Sequence, residues 1–204
     1  MTHYKRVYGL TGGIATGKST VSEILRARGY EIIDMDKLAR SIFQIGKPAY
    51  RKVIEAFGRD IVDPLGNIDR KKLRALVFSD DARLELLNRI THPEIMLEAR
   101  VLMEEILGRE DLVFLDIPLL FESREMLEAH GIYFDAVILV YLDGRTQLER
   151  LMARDQLDRQ EARKVINYQM AMEDKLRLAD YVIDNSGDLN SLEKNVDKLL
   201  ESIE

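Results

Sequence analysis

The 204-residue chain contains no cysteine. It can therefore form no disulfide bond and no thiolate metal site, and it has no cysteine nucleophile. This absence fits a reducing compartment, where disulfide bonds do not accumulate.

Long hydrophobic runs are also missing from the sequence. The longest of them, Ala136–Leu142, is far too short to span a bilayer. The polar residues 1–6 lead directly into an apolar stretch, without the long apolar segment of a signal peptide. We therefore expect a cytoplasmic protein with no membrane association.

The sequence has no excess of positive charge. Thirty lysine and arginine residues stand against thirty-six aspartate and glutamate residues, which gives a formal net charge of -6. A protein that binds a polyanion usually has a net basic surface, so we do not expect nucleic acid as a partner. The sequence indicates no obligatory protein partner either.

Five short apolar segments alternate with longer helical patterns, which predicts a parallel β-sheet connected by helices. Each segment is nearly continuous in apolar residues, as expected of strands that are covered on both faces. The predicted strands are Arg6–Leu10, Tyr30–Asp34, Leu112–Asp116, Ala136–Leu142 and Tyr181–Asp184. No low-complexity tract or long linker divides the chain, so we expect a single domain over residues 1–204.

A first helical interruption covers about residues 46–107, which is far more than a simple crossover between parallel strands needs. It predicts a small helical subdomain beside the sheet, in a position to form the wall of an acceptor site. Within it we expect Pro93 to end one helix and begin the next, with Thr91 or His92 near the cap.

A second helical interruption covers about residues 146–175. Arg150 and Arg154 are four residues apart, as are Arg159 and Arg163, so each pair shares a helix face. We expect this segment to be an arginine-bearing lid. The remaining core then consists of about residues 1–45, 108–145 and 176–204.

The strongest signal is the phosphate-binding motif G-x-x-x-x-G-K-[ST] at Gly12–Ser19. Its glycines let backbone N–H groups turn toward phosphate oxygens, and the helix that begins near Gly17 directs its positive end at the same anion. Lys18 adds a positive charge, and the Ser19 hydroxyl can ligate Mg²⁺. Because the motif lies between a predicted strand and a predicted helix, we predict a nucleoside triphosphate site.

GTPases, motor ATPases and small kinases all use this motif. A GTPase would carry the guanine-binding sequence N-K-x-D, which does not occur, and D-x-x-G at 63–66 and 184–187 does not follow the third strand. Motor ATPases generally need larger cores. A small kinase with an arginine-bearing lid fits better, because phosphoryl transfer depends on positioning and charge neutralisation while water is excluded.

Two carboxylates, Asp34 and Asp36, follow the second predicted strand. They lie at the carboxyl end of that strand, the edge where α/β sheets bind ligands. A carboxylate there could accept the proton of an attacking hydroxyl or hold Mg²⁺ through water, but aspartate also caps helices well. Asp34 is favoured as the cap or metal neighbour, and Asp36 as the base.

The motifs, in the order in which they occur along the sequence, resemble those of the dephospho-coenzyme A kinase family over nearly the whole chain. The most specific segments are D-x-D-x-x-A-R, H-P and P-L-L-F-E. Besides Gly12–Ser19, the similar segments are 34–40, 92–93, 118–122, 150–155, Gln169, Lys175 and 179–185. The resemblance implies a P-loop NTPase fold with three α/β/α layers, a five-stranded parallel sheet, a helical substrate-binding insertion and a helical lid.

The resemblance also implies the reaction. ATP would phosphorylate the ribose 3′-hydroxyl of dephospho-coenzyme A, which gives coenzyme A and ADP in the final step of coenzyme A synthesis. The implied catalytic residues are Asp36, Lys18, Arg150 and Arg154. The implied ATP site comprises Gly12, Gly13, Ala15, Thr16, Gly17, Lys18, Ser19 and Thr20. The implied acceptor site comprises Asp34, Asp36, Arg40, His92, Pro118, Leu119, Leu120 and Phe121.

Some features depart from the family or stay open. Ala15 and Thr16 stand where the family usually has Gly-Ser, and Met35 stands where alanine is common. Asp116 could contact Mg²⁺ or be an interior turn residue, and His92 could bind the acceptor or only form a structural hydrogen bond. Two other functions also remain open, namely a kinase for another acceptor such as a nucleoside monophosphate and a regulator that only binds ATP.

Overall fold

The computed structural model describes residues 5–78 and 80–203. The strands are β1 (Arg6–Gly12), β2 (Glu31–Asp34), β3 (Leu112–Asp116), β4 (Ala136–Tyr141) and β5 (Tyr181–Asp184). The predicted bounds of β3 and β5 are confirmed, whereas β1 is two residues longer than predicted and β2 and β4 are each one residue shorter.

Helices make up most of the remaining chain. They are α1 (Lys18–Ala27), α2 (Met35–Ser41), α3 (Pro48–Phe57), α4 (Arg70–Phe78), α5 (Asp81–Leu107), α6 (Arg124–Ala129), α7 (Gly144–Asp155), α8 (Arg159–Asn167), α9 (Met172–Leu178) and α10 (Leu189–Ile203), with a 3₁₀ turn at Arg59–Ile61. Within the described ranges, none of these helices combines the length and the apolar character that crossing a bilayer requires. A cytoplasmic location stays a prediction.

The strands form one sheet in the order β2-β3-β1-β4-β5. The pairs β1–β3, β1–β4 and β4–β5 are parallel, so the carboxyl ends of these strands lie at one edge of the sheet. In this register Leu10 pairs with Asp116, and Gly12 pairs with Val140. The predicted α/β class with a five-stranded parallel sheet is confirmed.

The main apolar core lies on one face of the sheet. Tyr8, Leu10, Phe114 and Ile138 point to this face, where α1 and α10 cover them. Tyr8 and Phe114 meet edge to face, with 6.0 Å between ring centroids. Residues of the opposite face, such as Leu139, are buried as well. Burial on both faces explains why the strands are continuous in apolar residues.

The chain divides into two compact units, Met1–Ile33 with Glu105–Glu204, and Asp34–Glu104. The second unit is helical and has its own apolar cluster. The buried members of that cluster are Val53, Ile61, Ile68, Leu73 and Val77. The finer division into core, insertion and lid stays a prediction.

The prediction that Pro93 ends a helix is wrong, because α5 continues through it. Proline lacks the N–H that would bond to the preceding turn, which typically costs about 3 kcal/mol. Beyond it, Met96, Ala99 and Met103 share one helix face and are all buried, and this packing outweighs the local cost. Thr91 is likewise inside the helix rather than at a cap, and its hydroxyl donates to the Leu87 carbonyl (2.9 Å).

Candidate active site

The phosphate-binding motif forms the loop between β1 and α1. β1 ends at Gly12, and α1 begins at Lys18 with Gly17 as its N-cap residue. Gly17 and Ala15 both have left-handed backbone angles, with φ values of 88° and 61°. Left-handed residues within such a loop turn successive backbone N–H groups inward and so form an anion-binding cavity. The amino end of α1 adds the positive end of its dipole.

Three side-chain amides hold the backbone of this loop. Gln169 Oε1 accepts a hydrogen bond from the Ile14 N–H (2.8 Å), and Gln147 Nε2 donates to the Ile14 carbonyl (2.9 Å). Asn185 Nδ2 donates to the Thr16 carbonyl (2.8 Å), and both of these residues are buried. The loop is therefore fixed from α7, from the segment before α9 and from the end of β5.

Two glycines allow these amides to come close. A Cβ atom at Gly13 would lie 2.6 Å from Gln147 Nε2, and one at Gly17 would collide with Asn185 Nδ2. The Thr16 hydroxyl adds an internal hydrogen bond to the Gly13 carbonyl (2.8 Å). The glycines of the motif are therefore required by the packing of this loop as well as by the motif.

Lys18 forms an ion pair with Asp116, the last residue of β3. Asp116 is buried, and it also accepts a hydrogen bond from the Ser22 hydroxyl (2.7 Å). A buried carboxylate is destabilising without a counter-ion, so Lys18 and Ser22 together stabilise Asp116. Since an ammonium group has three donors, Lys18 can bind a phosphate oxygen while it contacts the carboxylate.

Ser19 and Thr20 lie in the first turn of α1. Ser19 is exposed, and its hydroxyl makes no hydrogen bond to a described residue. Across residues 5–78 and 80–203, no group of three or more histidine, aspartate or glutamate side chains could hold a metal ion. A Mg²⁺ ion at this loop would therefore rely on the Ser19 hydroxyl, phosphate oxygens and water, which are the hard oxygen ligands that it prefers.

The first helix of the predicted lid, α7, places one of the two expected arginines against a residue that supports the loop. Arg150 Nη2 donates to the Asn185 carbonyl (3.1 Å), and the Asn185 side chain holds Thr16. Arg154 instead donates two 2.8 Å hydrogen bonds to Asp155. These bonds raise the pKa of Arg154 and lower the pKa of Asp155. Arg150, rather than Arg154, therefore contacts Asn185, a residue that holds the loop.

The turn after β3 contains one group of the predicted acceptor residues. The Pro118 carbonyl accepts a hydrogen bond from the Thr11 hydroxyl of β1 (3.3 Å). Leu120 and Phe121 are buried in the core, whereas Leu119 is 43% exposed. Leu119 is therefore the apolar side chain of this turn that a ligand can reach directly.

The acidic pair lies at the start of α2. Asp34 Oδ1 accepts a hydrogen bond from the Lys37 N–H (2.9 Å), so Asp34 is the helix cap. Asp36 lies in the first turn of α2, is exposed, and makes no hydrogen bond or ion pair with a described residue. The two carboxylates therefore differ in availability, since the backbone engages Asp34 and leaves Asp36 open to a ligand.

Two arginines of the helical unit influence each other. Arg40 lies in the last turn of α2, and Arg70 is the first residue of α4. Burial and the positive charge of Arg40 lower the pKa of Arg70, whose guanidinium lies 5.5 Å from the centre of the Phe43 ring. Two cations near each other favour the binding of an anion. The remaining predicted acceptor residue, His92, is half-buried within α5.

The sequence alone assigns no role to the amides that hold the loop. Gln169 and Asn185 occur in segments that resemble the family, but Gln147 lies outside those segments. One signal for Gln147 is its position, because it shares the buried side of α7 with Leu148 and Leu151. A polar residue at such a position usually has a buried hydrogen-bond partner.

Comparison with known proteins gives consistent matches. The family model for dephospho-CoA kinase matches residues 6–191. The dephospho-CoA kinase of Carboxydothermus hydrogenoformans is 46% identical over 196 residues, which cover 96% of this chain and 93% of that protein. Among solved structures, dephospho-CoA kinase from Campylobacter jejuni has a TM-score of 0.74 at 29% identity, with 98% of this chain and 97% of that chain covered. TT1252 from Thermus thermophilus has a TM-score of 0.77 at 35% identity, with 98% and 99% covered.

Proposed function

The chain belongs to the dephospho-CoA kinase family, and on that premise we propose how its residues carry out the reaction. The reaction is the ATP-dependent phosphorylation of the ribose 3′-hydroxyl of dephospho-CoA, which gives CoA and ADP in the final step of CoA synthesis. The observation that carries the proposal is the loop held by three amides, with the Lys18 ammonium at its helical end.

ATP is the phosphoryl donor, and its phosphates bind to the loop between β1 and α1. Backbone N–H groups and the Lys18 ammonium neutralise the phosphate charge. The left-handed angles of Ala15 and Gly17 support this assignment, because they give the loop an anion-binding shape. The proposed contact residues are Gly12, Gly13, Ala15, Thr16, Gly17, Lys18, Ser19 and Thr20.

The Ser19 hydroxyl would hold a Mg²⁺ ion that accompanies ATP, and the Asp116 carboxylate would contact it through water. The exposed Ser19 hydroxyl and the strand-end position of the Asp116 carboxylate support this assignment. When bound, Mg²⁺ neutralises charge on the transferred phosphoryl group.

Asp36 is the general base that accepts the proton of the 3′-hydroxyl. Its carboxylate is exposed and not engaged by described residues, whereas the neighbouring Asp34 carboxylate caps α2. The hydroxyl then attacks the γ-phosphorus in line, and no phosphoenzyme forms. Arg150 and Arg154 stabilise the charge of the transferred group, and the contact from Arg150 to Asn185 supports the part assigned to Arg150.

Dephospho-CoA carries a pyrophosphate, and Arg40 and Arg70 suit this anion. Their mutual repulsion is relieved when a negative group lies between them. The proposed acceptor site comprises Asp34, Asp36, Arg40, His92, Pro118, Leu119, Leu120 and Phe121, with Arg70 as an addition. Arg70→Gln should raise the KM for dephospho-CoA and leave the KM for ATP unchanged. Arg74→Gln is the matched control on the same helix, since the Arg74 guanidinium lies over the Phe78 ring.

The proposed acceptor is tested by coupled ADP release from ATP and Mg²⁺, with dephospho-CoA as acceptor and nucleoside monophosphates as controls. Turnover with dephospho-CoA alone is expected. Activity with a nucleoside monophosphate but none with dephospho-CoA would support a kinase activity and reject dephospho-CoA as the acceptor. A protein that binds ATP without forming ADP in the presence of any acceptor would instead be a nucleotide-binding regulator.

A further inference from the structure

A fully buried ammonium group lies outside the residues that are assigned to the reaction. Lys175 of α9 is 0% exposed, and its Nζ lies 2.8 Å from Glu122 Oε1. The direction of this contact is poor for a hydrogen bond, and Nζ has no hydrogen-bond partner among the described residues. The contact is therefore an ion pair, and Glu122 is the counter-ion that makes the burial of Lys175 possible.

Glu122 joins two separate parts of the chain. Its Oε1 atom also accepts a hydrogen bond from the Met170 N–H (2.9 Å). Burial acts to raise the pKa of Glu122, but the contact with Lys175 and the bond from Met170 outweigh it, so the pKa lies below its ordinary value. The ionised carboxylate thus ties the turn after β3 to the segment that leads into α9.

This segment is one of the three that hold the phosphate-binding loop. Met170 follows Gln169, whose side chain accepts the Ile14 N–H (2.8 Å). Met172 is buried, and its methyl group lies 2.9 Å from the position that a Cβ atom at Gly13 would occupy. Residues 169–172 therefore contact the loop at two points, and the pair of Lys175 and Glu122 fixes this segment at the other end.

We propose that Lys175 and Glu122 are positioning residues for the ATP site. They hold residues 169–172 so that Gln169 engages Ile14, and the loop is thereby preorganised for the phosphates of ATP. A purely structural ion pair would only stabilise the fold. The bond from the Met170 N–H to Glu122 favours the positioning role, because Met170 is the neighbour of Gln169, whose side chain holds the loop at Ile14. The inference rests on the proposed ATP site, but not on the identity of the acceptor.

The test is a double-mutant cycle on the KM for ATP with Lys175→Met and Gln169→Leu. Each single variant should raise the KM for ATP by about three- to tenfold, the effect of losing one hydrogen bond that orders the loop. The KM for dephospho-CoA should stay within about twofold. The double variant should show no further rise, because both changes remove the same constraint.

Two further variants separate positioning from folding. Lys175→Met combined with Glu122→Gln removes both charges, so it avoids an unpaired buried charge and should fold even if a single variant does not. It should still have a raised KM for ATP. The control is Arg28→Met, which breaks the exposed ion pair with Asp197 and should leave both KM values unchanged.

Two results would overturn the inference. One is that the Lys175 and Glu122 variants lower Tm but leave the KM for ATP at the wild-type value. The other is a double variant in which the effects of Lys175→Met and Gln169→Leu multiply. A failure of the proposed function is distinguishable from both, because it appears in the wild-type protein as absent ADP formation with dephospho-CoA. The cycle can then be run with whichever acceptor supports turnover.

Discussion

Replacing Gly17 by alanine tests whether the contact between the loop and Asn185 shapes the nucleotide site. Gly17 has φ 88°, and its missing side chain leaves the space that Asn185 Nδ2 occupies. The Asn185 amide uses this position to donate to the buried Thr16 carbonyl (2.8 Å). A methyl group at Gly17 would therefore add backbone strain and displace the amide.

The two effects can be estimated separately. A left-handed backbone costs a residue with a Cβ atom about 1–2 kcal/mol. Loss of the Asn185 bond leaves the Thr16 carbonyl without its partner, which costs about 1–3 kcal/mol for a buried group. The free energy of unfolding should therefore fall by about 2–5 kcal/mol.

Gly29→Ala is the matched control. Gly29 has nearly the same backbone angle, φ 91°, but apart from its own atoms and its two chain neighbours no atom of residues 5–78 and 80–203 lies within 4 Å of the position of its added Cβ. It should lose only the backbone contribution of about 1–2 kcal/mol. The difference between the two variants, about 1–3 kcal/mol, corresponds to a Tm difference of about 2–12 °C for a chain of this size.

The assay is steady-state ADP formation as a function of ATP, together with thermal unfolding. Because the displaced amide holds the loop, kcat/KM for ATP should fall about 5- to 150-fold in Gly17→Ala, the equivalent of 1–3 kcal/mol. It should stay at the wild-type value in Gly29→Ala. Equal losses of Tm in the two variants, with unchanged kcat/KM for ATP in both, would refute the reasoning.

Three further predictions concern charged groups. Lys18→Ala should abolish turnover and weaken ATP binding by calorimetry, and unchanged kinetics would reject the phosphate site. Asp36→Asn should fold and bind ATP but lose about 10²–10⁴ in turnover, as expected for a base; near-normal turnover in this variant would remove Asp36 from that role. Because the pKa of Glu122 is lowered, its contribution to stability is present above its ordinary value of 4.5 and is lost as pH falls through the folded-state value. Between about pH 6 and pH 3 the Tm of the wild type should therefore fall more than that of Glu122→Gln, and parallel curves would contradict this.

The strands and the phosphate-binding loop could be predicted because they depend on local signals. Continuous apolar segments such as Leu112–Asp116 occur where a strand is covered on both faces, and this burial is observed. The glycines and Lys18 of the loop follow a fixed spacing because the loop geometry requires them. The family resemblance was also confirmed by the comparisons.

Features that depend on contacts distant in sequence could not be predicted. The prediction that a helix ends at Pro93 failed because the packing of the residues that follow it outweighs the local backbone preference. Likewise, Gln147 reaches Ile14 across 133 positions of sequence, which no local pattern reveals. The ambiguity of Asp116 has the same origin, since its pairing with Lys18 depends on the register of β1 and β3.

The most direct measurement is the stereochemical course of transfer from ATP that is chiral at the γ-phosphorus. The central claim is that the loop holds ATP while the 3′-hydroxyl of dephospho-CoA attacks that phosphorus directly. The 3′-phosphate of the CoA product should then carry the label with inverted configuration, as a single in-line displacement requires. Retention of configuration, or release of the label as inorganic phosphate with dephospho-CoA unchanged, would contradict direct transfer.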